Sequence, residues 1–331
     1  MMRAPDASSV AVRRPDGSII VRARESRNLS KRYPILKSPG LRGVAVLVET
    51  MYDGISSLNF AAEQALPAET DAKGGPSAPV SSFALLATLV MGMAFGFFLF
   101  AIVPHFLTFA IGWLSGSEAL EGGQSFWFHL VAGILKAGIF LGFVWSMSLA
   151  KDMRRVFEYH GAEHQAVHAW EAGLDLVPES LSRFPTAHAR CGTAFMVTVI
   201  AISILVFAVV FPFVPVLSDV KMLNQALYVL IKLPLILPIA GLSYELQRFA
   251  SRRTDGLLGK VISAPGVLFQ RITTQPPDRS QQEIAIVALR AALDLGRIGV
   301  VPGGTGEATA TFDDFEAFLG NPGEPQPEAA S

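Results

Sequence analysis

Residues Thr193 to Leu217 read TAFMVTVIAISILVFAVVFPFVPVL, a run without one charged side chain. A helix crossing the hydrocarbon of a bilayer needs roughly 20 mostly apolar residues, and this run satisfies that length. Three further blocks do the same: Phe83 to Phe109, Phe126 to Ala150 and Met222 to Leu242. The expected fold is mainly α: a polytopic membrane protein with four transmembrane helices, a small N-terminal β-hairpin region and cytoplasmic helices. Composition agrees, because 51% of the 331 residues are hydrophobic and 17% charged, too apolar for ordinary soluble domains. No block sits at the amino terminus ahead of a small-residue cleavage site, so no signal peptide is expected.

Charge orients the spans. Residues 1–42, ahead of the first block, carry Arg3, Arg13, Arg14, Arg22, Arg24, Arg27, Lys31, Arg32, Lys37 and Arg42 against only Asp6, Asp16 and Glu25. Lys and Arg near spans stay on the cytoplasmic side, so the amino-terminal region is expected inside. The loop Ala110 to Ser125 holds Glu118 and Glu121 but no Lys or Arg, whereas Lys151, Arg154, Arg155, Arg183 and Arg190 lie between Lys151 and Gly192. That predicts a multi-pass protein of the inner cell membrane with both termini cytoplasmic. The basic start is read as an orienting face against lipid headgroups. No aromatic residues interleave with it as nucleic-acid binding would require, so membrane lipids and no nucleic acid are the expected partners. The lone Cys191 excludes an internal disulfide framework and leaves one thiol free as ligand, nucleophile or packing residue.

The chain divides into eight segments. Residues 1–42 form a basic hairpin region, with Pro15-Asp16-Gly17 as the turn of a β-hairpin over Ser9 to Glu25. Residues 43–66 are expected as an amphipathic or re-entrant helix whose Glu49, Asp53, Ser56 and Glu63 face is either solvated or turned toward the histidine segment. Residues 67–80, rich in Gly, Ala and Pro, read as a flexible linker. Spans one and two occupy 81–150, a His/Cys segment 151–192, and spans three and four 193–245. Residues 246–301 read as a membrane-surface segment plus a helix started by a capping box of Ser280 and Glu283. The acidic tail 302–331 is expected to be disordered.

The chemistry concentrates in Tyr159, His160, Glu163, His164, His168, Glu171, His188 and Cys191. Lys151 to Gly173 contains no proline and ends at a glycine, so it should be a helix, one that could continue the second span. His160, His164 and His168 then fall on one stripe, but the outer two are separated by about 12 Å of helix rise, too far for one ion to take all three. His164 plus one neighbour are the expected direct ligands, the third histidine serving a second ion or an outer position. His160-Gly161-Ala162-Glu163-His164 has the H-x-x-E-H form, in which two histidines hold zinc and Glu163 is the general base. A third ligand is required, and the candidates are His188, Cys191 and, at the cytoplasmic end of the fourth span, Glu245. If His188 and Cys191 both join, the site is closed and structural.

The strings Tyr-His-Gly-Ala-Glu-His from Tyr159, Ala-Arg-Cys-Gly-Thr from Ala189, Gly-Leu-Ser-Tyr-Glu-Leu from Gly241 and Ala-Pro-Gly-Val-Leu-Phe-Gln-Arg-Ile-Thr-Thr-Gln-Pro from Ala264 resemble the YqhQ family of bacterial membrane proteins. The resemblance runs from Met1 to about Gly296. It implies a family of unknown function described as predicted metal-dependent enzymes, with His160, Glu163, His164, His168 and Cys191 as metal-site residues and Glu245 as a further marked position. Family members open with a Gly-rich run leading into Met-Met-Arg, whereas Met1-Met2-Arg3 begins this chain, which raises the expectation of a misassigned start. Where the family has His-Pro-Arg-Cys-Gly, this chain has His188-Ala189-Arg190-Cys191-Gly192, which keeps the ligands and loosens their turn.

The expected function is a zinc-dependent hydrolase at the cytoplasmic membrane face. The alternative is a non-catalytic membrane factor whose structural His/Cys site supports partner binding or membrane-protein assembly. A transporter is disfavoured because the spans contain hardly any ionisable groups beyond Lys136 and Lys232. Substrate and oligomeric state are not legible.

Overall fold

The computed structural model describes residues 1–4, 7–26, 29, 33–65, 82–253, 256–298 and 307–320. In chain order these form β1 (Met2–Arg3), β2 (Ala7–Arg13), β3 (Ile19–Glu25), α1 (Leu41–Ala65), α2 (Ser82–Phe97), α3 (Val103–Ser115), α4 (Glu118–Glu121), α5 (Phe126–Ser148), α6 (Lys151–Glu171) and α7 (Pro178–Leu181). There follow α8 (Thr193–Val210), α9 (Lys221–Ser251), α10 (Leu257–Thr273), α11 (Arg279–Leu293), β4 (Glu307–Phe312) and α12 (Phe315–Gly320). Among the described residues four helices are long and apolar enough to cross a membrane: Ala87–Ser115, in which a π-turn at Phe98–Ile102 joins α2 to α3, then Phe126–Ser148, Thr193–Phe213 and Lys221–Ser251. The expected mainly helical chain with four such helices and a small antiparallel strand region is what the structure shows. The linker 67–80 lies outside the described residues.

The four strands form one antiparallel sheet in the order β1-β2-β3-β4. Gly17, at φ 93°, supplies the left-handed residue of the β2–β3 turn, and Asp16 Oδ1 accepts from the Ser18 amide at 2.9 Å. Alternation then sends Ile19, Val21 and Ala23 into a core with Ala162, Ala166 and Ala169 of α6 and Ile284 to Ala292 of α11. The opposite face, with Val10 and Ile20, meets Phe60 of α1. Both faces are covered, which accounts for the nearly continuous burial of β3, its Arg22 and Arg24 included.

Three expectations are corrected. First, the tail is not wholly disordered: Glu307–Phe312 pairs with β3, and Phe312, Phe315 and Phe318 are buried. Its overall acidity hid three phenylalanines spaced to reach one core, while 299–306 and 321–331 lie outside the described residues. Second, the capping box of α11 is Asp278 with Gln281, not Ser280 with Glu283. Pro276 and Pro277 hold the preceding backbone out of helix, so the first usable acceptor after them takes the cap. Third, α6 does not continue the second span, because Ala150 is extended (φ −74°, ψ 131°) and re-aims the helix.

The sheet, α6, α7, α11 and α12 make one polar lobe at one end of the helical bundle. At the other end, Lys221 pairs with Glu121 and Gln225 Nε2 donates to the Glu121 carbonyl at 2.9 Å.

Candidate metal centre

Helix α6 carries the H-x-x-E-H segment past three other pieces of chain, and each fixes one histidine. His160 Nδ1 is 2.8 Å from the Thr273 carbonyl at the end of α10. His164 Nδ1 is 2.5 Å from the Thr186 carbonyl, and His168 Nε2 is 2.9 Å from that of Ala187. A carbonyl only accepts, so each of these ring nitrogens carries a proton, and the other is left to donate while the ring is charged or to ligate once it is deprotonated. For His160 and His164 the free atom is Nε2. Metal-binding histidines are held in this way, because the outer hydrogen bond sets both tautomer and ring direction.

The free nitrogens point to Cys191. His160 Nε2 lies 3.3 Å from Cys191 Sγ, and one ligand atom from each of His160, His164 and Cys191 falls within 4.8 Å of the others. Burial pushes the Cys191 thiol up, but hydrogen bonds and charge from His160 and His164 outweigh it and bring its pKa to about 5. The thiolate that zinc prefers is therefore available at neutral pH. Burial also opposes charge on His160, yet its contacts with Cys191, Thr273 and Glu163 together hold it above the ordinary histidine value.

A second group brings His168, Glu171 and His188 equally close. It suits a metal less well. The Arg190 amide donates to His188 Nδ1 at 3.2 Å, so the ring proton sits on Nε2, directed at Glu171 Oε2 at 3.5 Å. Glu171 also pairs with Arg190 at 2.9 Å. Burial, and then His168, keep His188 below the ordinary value and hence neutral.

All members of the two groups except His168 line one cleft of about 500 Å³ together with Glu163. The Glu163 carboxylate is 30% exposed, and Oε1 lies 2.5 Å from the amino nitrogen of Met1. Glu245 is not brought to this cleft. It pairs with Arg42 and accepts from the Gly40 amide at 3.3 Å, tying α9 to the start of α1. Its place at the end of a span suggested reach, but Arg42 captures it first. The turn at Ala189, expected to be loose, is held by Gln270, which is fully buried: its Oε1 accepts from the His188 amide at 2.7 Å and its Nε2 donates to the His188 carbonyl at 3.0 Å. Sequence reasoning missed Gln270, although it lies in the 264–276 string already singled out.

Gly161 has a role that only the structure reveals. A Cβ there would sit far inside van der Waals contact of the Gln275 carbonyl, two residues from Thr273. Gly161→Ala is expected to destabilise the protein by about 1–3 kcal/mol, the usual range for overpacking, and to weaken metal binding by displacing the Thr273 carbonyl from His160. Thermal unfolding with and without added zinc checks both effects.

Four membrane-length helices and a polar lobe that brings two histidines and a cysteine together define a polytopic membrane protein with a candidate metal centre. The chain belongs to the family described as "Protein of unknown function (DUF1385)", whose model matches residues 38–295. It is similar to the "Uncharacterized protein YqhQ" of Bacillus subtilis (strain 168), being 29% identical over 294 residues, which cover 86% of each chain. No solved structure matches it.

Proposed function

We propose that this chain is a zinc-dependent hydrolase working at the cytoplasmic face of the inner membrane, with His160, His164 and Cys191 as ligands and Glu163 as general base. The observation that carries the reading is the pair of Nδ1–carbonyl bonds from His160 and His164, which turn two Nε2 atoms, each able to yield its proton to an incoming metal, toward a low-pKa thiol. Two nitrogens and one sulfur are a zinc donor set that keeps one position open. When bound, zinc supplies Lewis acidity and brings the pKa of water toward about 7. Glu163, on the same helix and in the same cleft, would accept the proton from that water without itself occupying a ligand position. Glu163 would then return that proton to the leaving group. The basic residues of the amino-terminal region and of 151–192 support a cytoplasmic lobe.

A structural site is the second reading. It is favoured by the His164 and His188 rings lying 5.8 Å apart, near enough for a side-chain rotation to make His188 a fourth ligand. X-ray absorption at the zinc edge of purified full-length protein separates the two. Three N/S donors and an oxygen exchangeable with solvent are expected; four N/S donors would overturn the hydrolase. On an ester, peptide or phosphoester substrate that the protein turns over, Glu163→Gln is expected to lower kcat about 10²–10⁴-fold with metal content unchanged.

A further inference from the structure

Away from the metal centre, the bundle of spans encloses a cavity of about 250 Å³. That exceeds the roughly 150 Å³ of an apolar cavity able to admit benzene. Its wall is mostly hydrocarbon, yet it contains the two lysines of the spans, Lys136 about midway along α5 and Lys232 about a third of the way along α9. Both ammonium nitrogens lie against the same Phe207 ring, at 5.2 and 5.3 Å from its centroid.

Their other contacts are all neutral. Lys136 Nζ donates to Ser203 Oγ at 3.0 Å. Gln225 donates its amide to the Glu121 carbonyl and therefore turns Oε1 to His105 Nε2, at 2.9 Å. His105 thus protonates Nε2 and presents the Nδ1 lone pair to Lys232 Nζ at 2.8 Å. Among the described residues neither lysine has a carboxylate partner. Aromatic faces attract a cation but do not neutralise it, and ionisable groups placed inside a membrane mark binding or transport sites by default. Ile236, on the cavity wall, is also 46% exposed, so the cavity reaches the surface that faces acyl chains.

We propose that this cavity binds an oxyanion, phosphate or carboxylate, at the head of an apolar chain: the two ammonium groups take the head and the wall beside Ile236 takes the chain. The site is separate from the metal centre and does not rest on the hydrolase reading.

Native mass spectrometry of the full-length protein in detergent tests it, with dioleoyl phosphatidic acid and oleate as anionic probes, phosphatidylcholine as the zwitterionic one and inorganic phosphate as the free anion. One anionic lipid per chain is expected, held about tenfold more tightly than phosphatidylcholine, and Lys136→Met or Lys232→Met should each lose about tenfold, the loss of one charge-assisted hydrogen bond. Lys136→Arg should retain binding. If Lys232→Met does not fold, Lys136→Met, at the less buried position, decides alone. Equal retention of anionic and zwitterionic lipid, or binding indifferent to the Lys→Met changes, overturns the proposal. Displacement of the lipid by an equal concentration of inorganic phosphate overturns its amphiphile part and assigns the cavity to a free anion.

Discussion

His164→Ala is expected to reduce the metal content of the purified protein from about one zinc per chain to under about a tenth, because loss of an outer-shell contact alone costs 10–100-fold in affinity and loss of a ligand exceeds that. His164 is the hinge of the donor set. Its Nδ1 is fixed by Thr186, and its Nε2 completes the group with His160 and Cys191. Removing it leaves one nitrogen and one sulfur, too few for zinc at micromolar levels. His168→Ala is the informative control. Its proton is committed to Ala187 and its neighbour His188 is turned to Glu171, so metal content should stay near one ion per chain. Elemental analysis after dialysis against a weak chelator measures both variants. Equal loss from the two would mean that the groups act as one, and retention of zinc by His164→Ala would remove the proposed centre. Acid should release the metal as well. Cys191 in the folded metal-free protein takes up its proton as pH falls through about 5, and below that value the set lacks its thiolate.

The helical stripe of histidines was legible because a 3.6-residue period depends only on spacing. That the stripe must split followed from the helix rise, but which histidine falls in which group did not. That division is made by the carbonyls of Thr273, Thr186 and Ala187, and a backbone carbonyl is the same chemical group whatever side chain it carries. The spans were legible for the opposite reason: exclusion from water acts on side-chain composition summed over a whole helix, which a sequence displays directly. Glu245 shows the intermediate case. Its place near the end of the fourth apolar helix was legible, but its partner Arg42 lies some two hundred residues earlier and competes through tertiary structure. The acidic face of α1 was misread in the same way. Neither solvent nor the histidine cleft receives Glu49 and Asp53; the sheet does. Glu49 bonds Arg3 at 2.8 Å and Asp53 bonds Arg24 at 2.7 Å. The arginines expected from their count to orient the chain hold α1 to the sheet, and counting charges could not reveal that use.

Asp53→Ala follows from that arrangement and is expected to destabilise the protein by about 3–5 kcal/mol, the cost of stranding one member of a buried ion pair. Asp53 is 1% exposed and Arg24 8%, so water cannot replace the lost carboxylate. Arg24 also touches Ser8 and Ser56, but hydroxyls do not neutralise a guanidinium. By contrast Glu63→Ala, on the exposed side of the same helix, should stay within about 0.5 kcal/mol. Denaturant titration of the detergent-solubilised protein compares the two, and the site of first proteolytic cleavage should move into the α1 segment for Asp53→Ala only. The double variant Arg24→Met with Asp53→Leu distinguishes charge from packing. Since an apolar pair of similar volume often equals a buried salt bridge in stability, it should recover most of the loss. Failure to recover would show that the pair fixes how α1 seats on the sheet. A shifted α1 would carry Arg42 away from Glu245 near the end of α9.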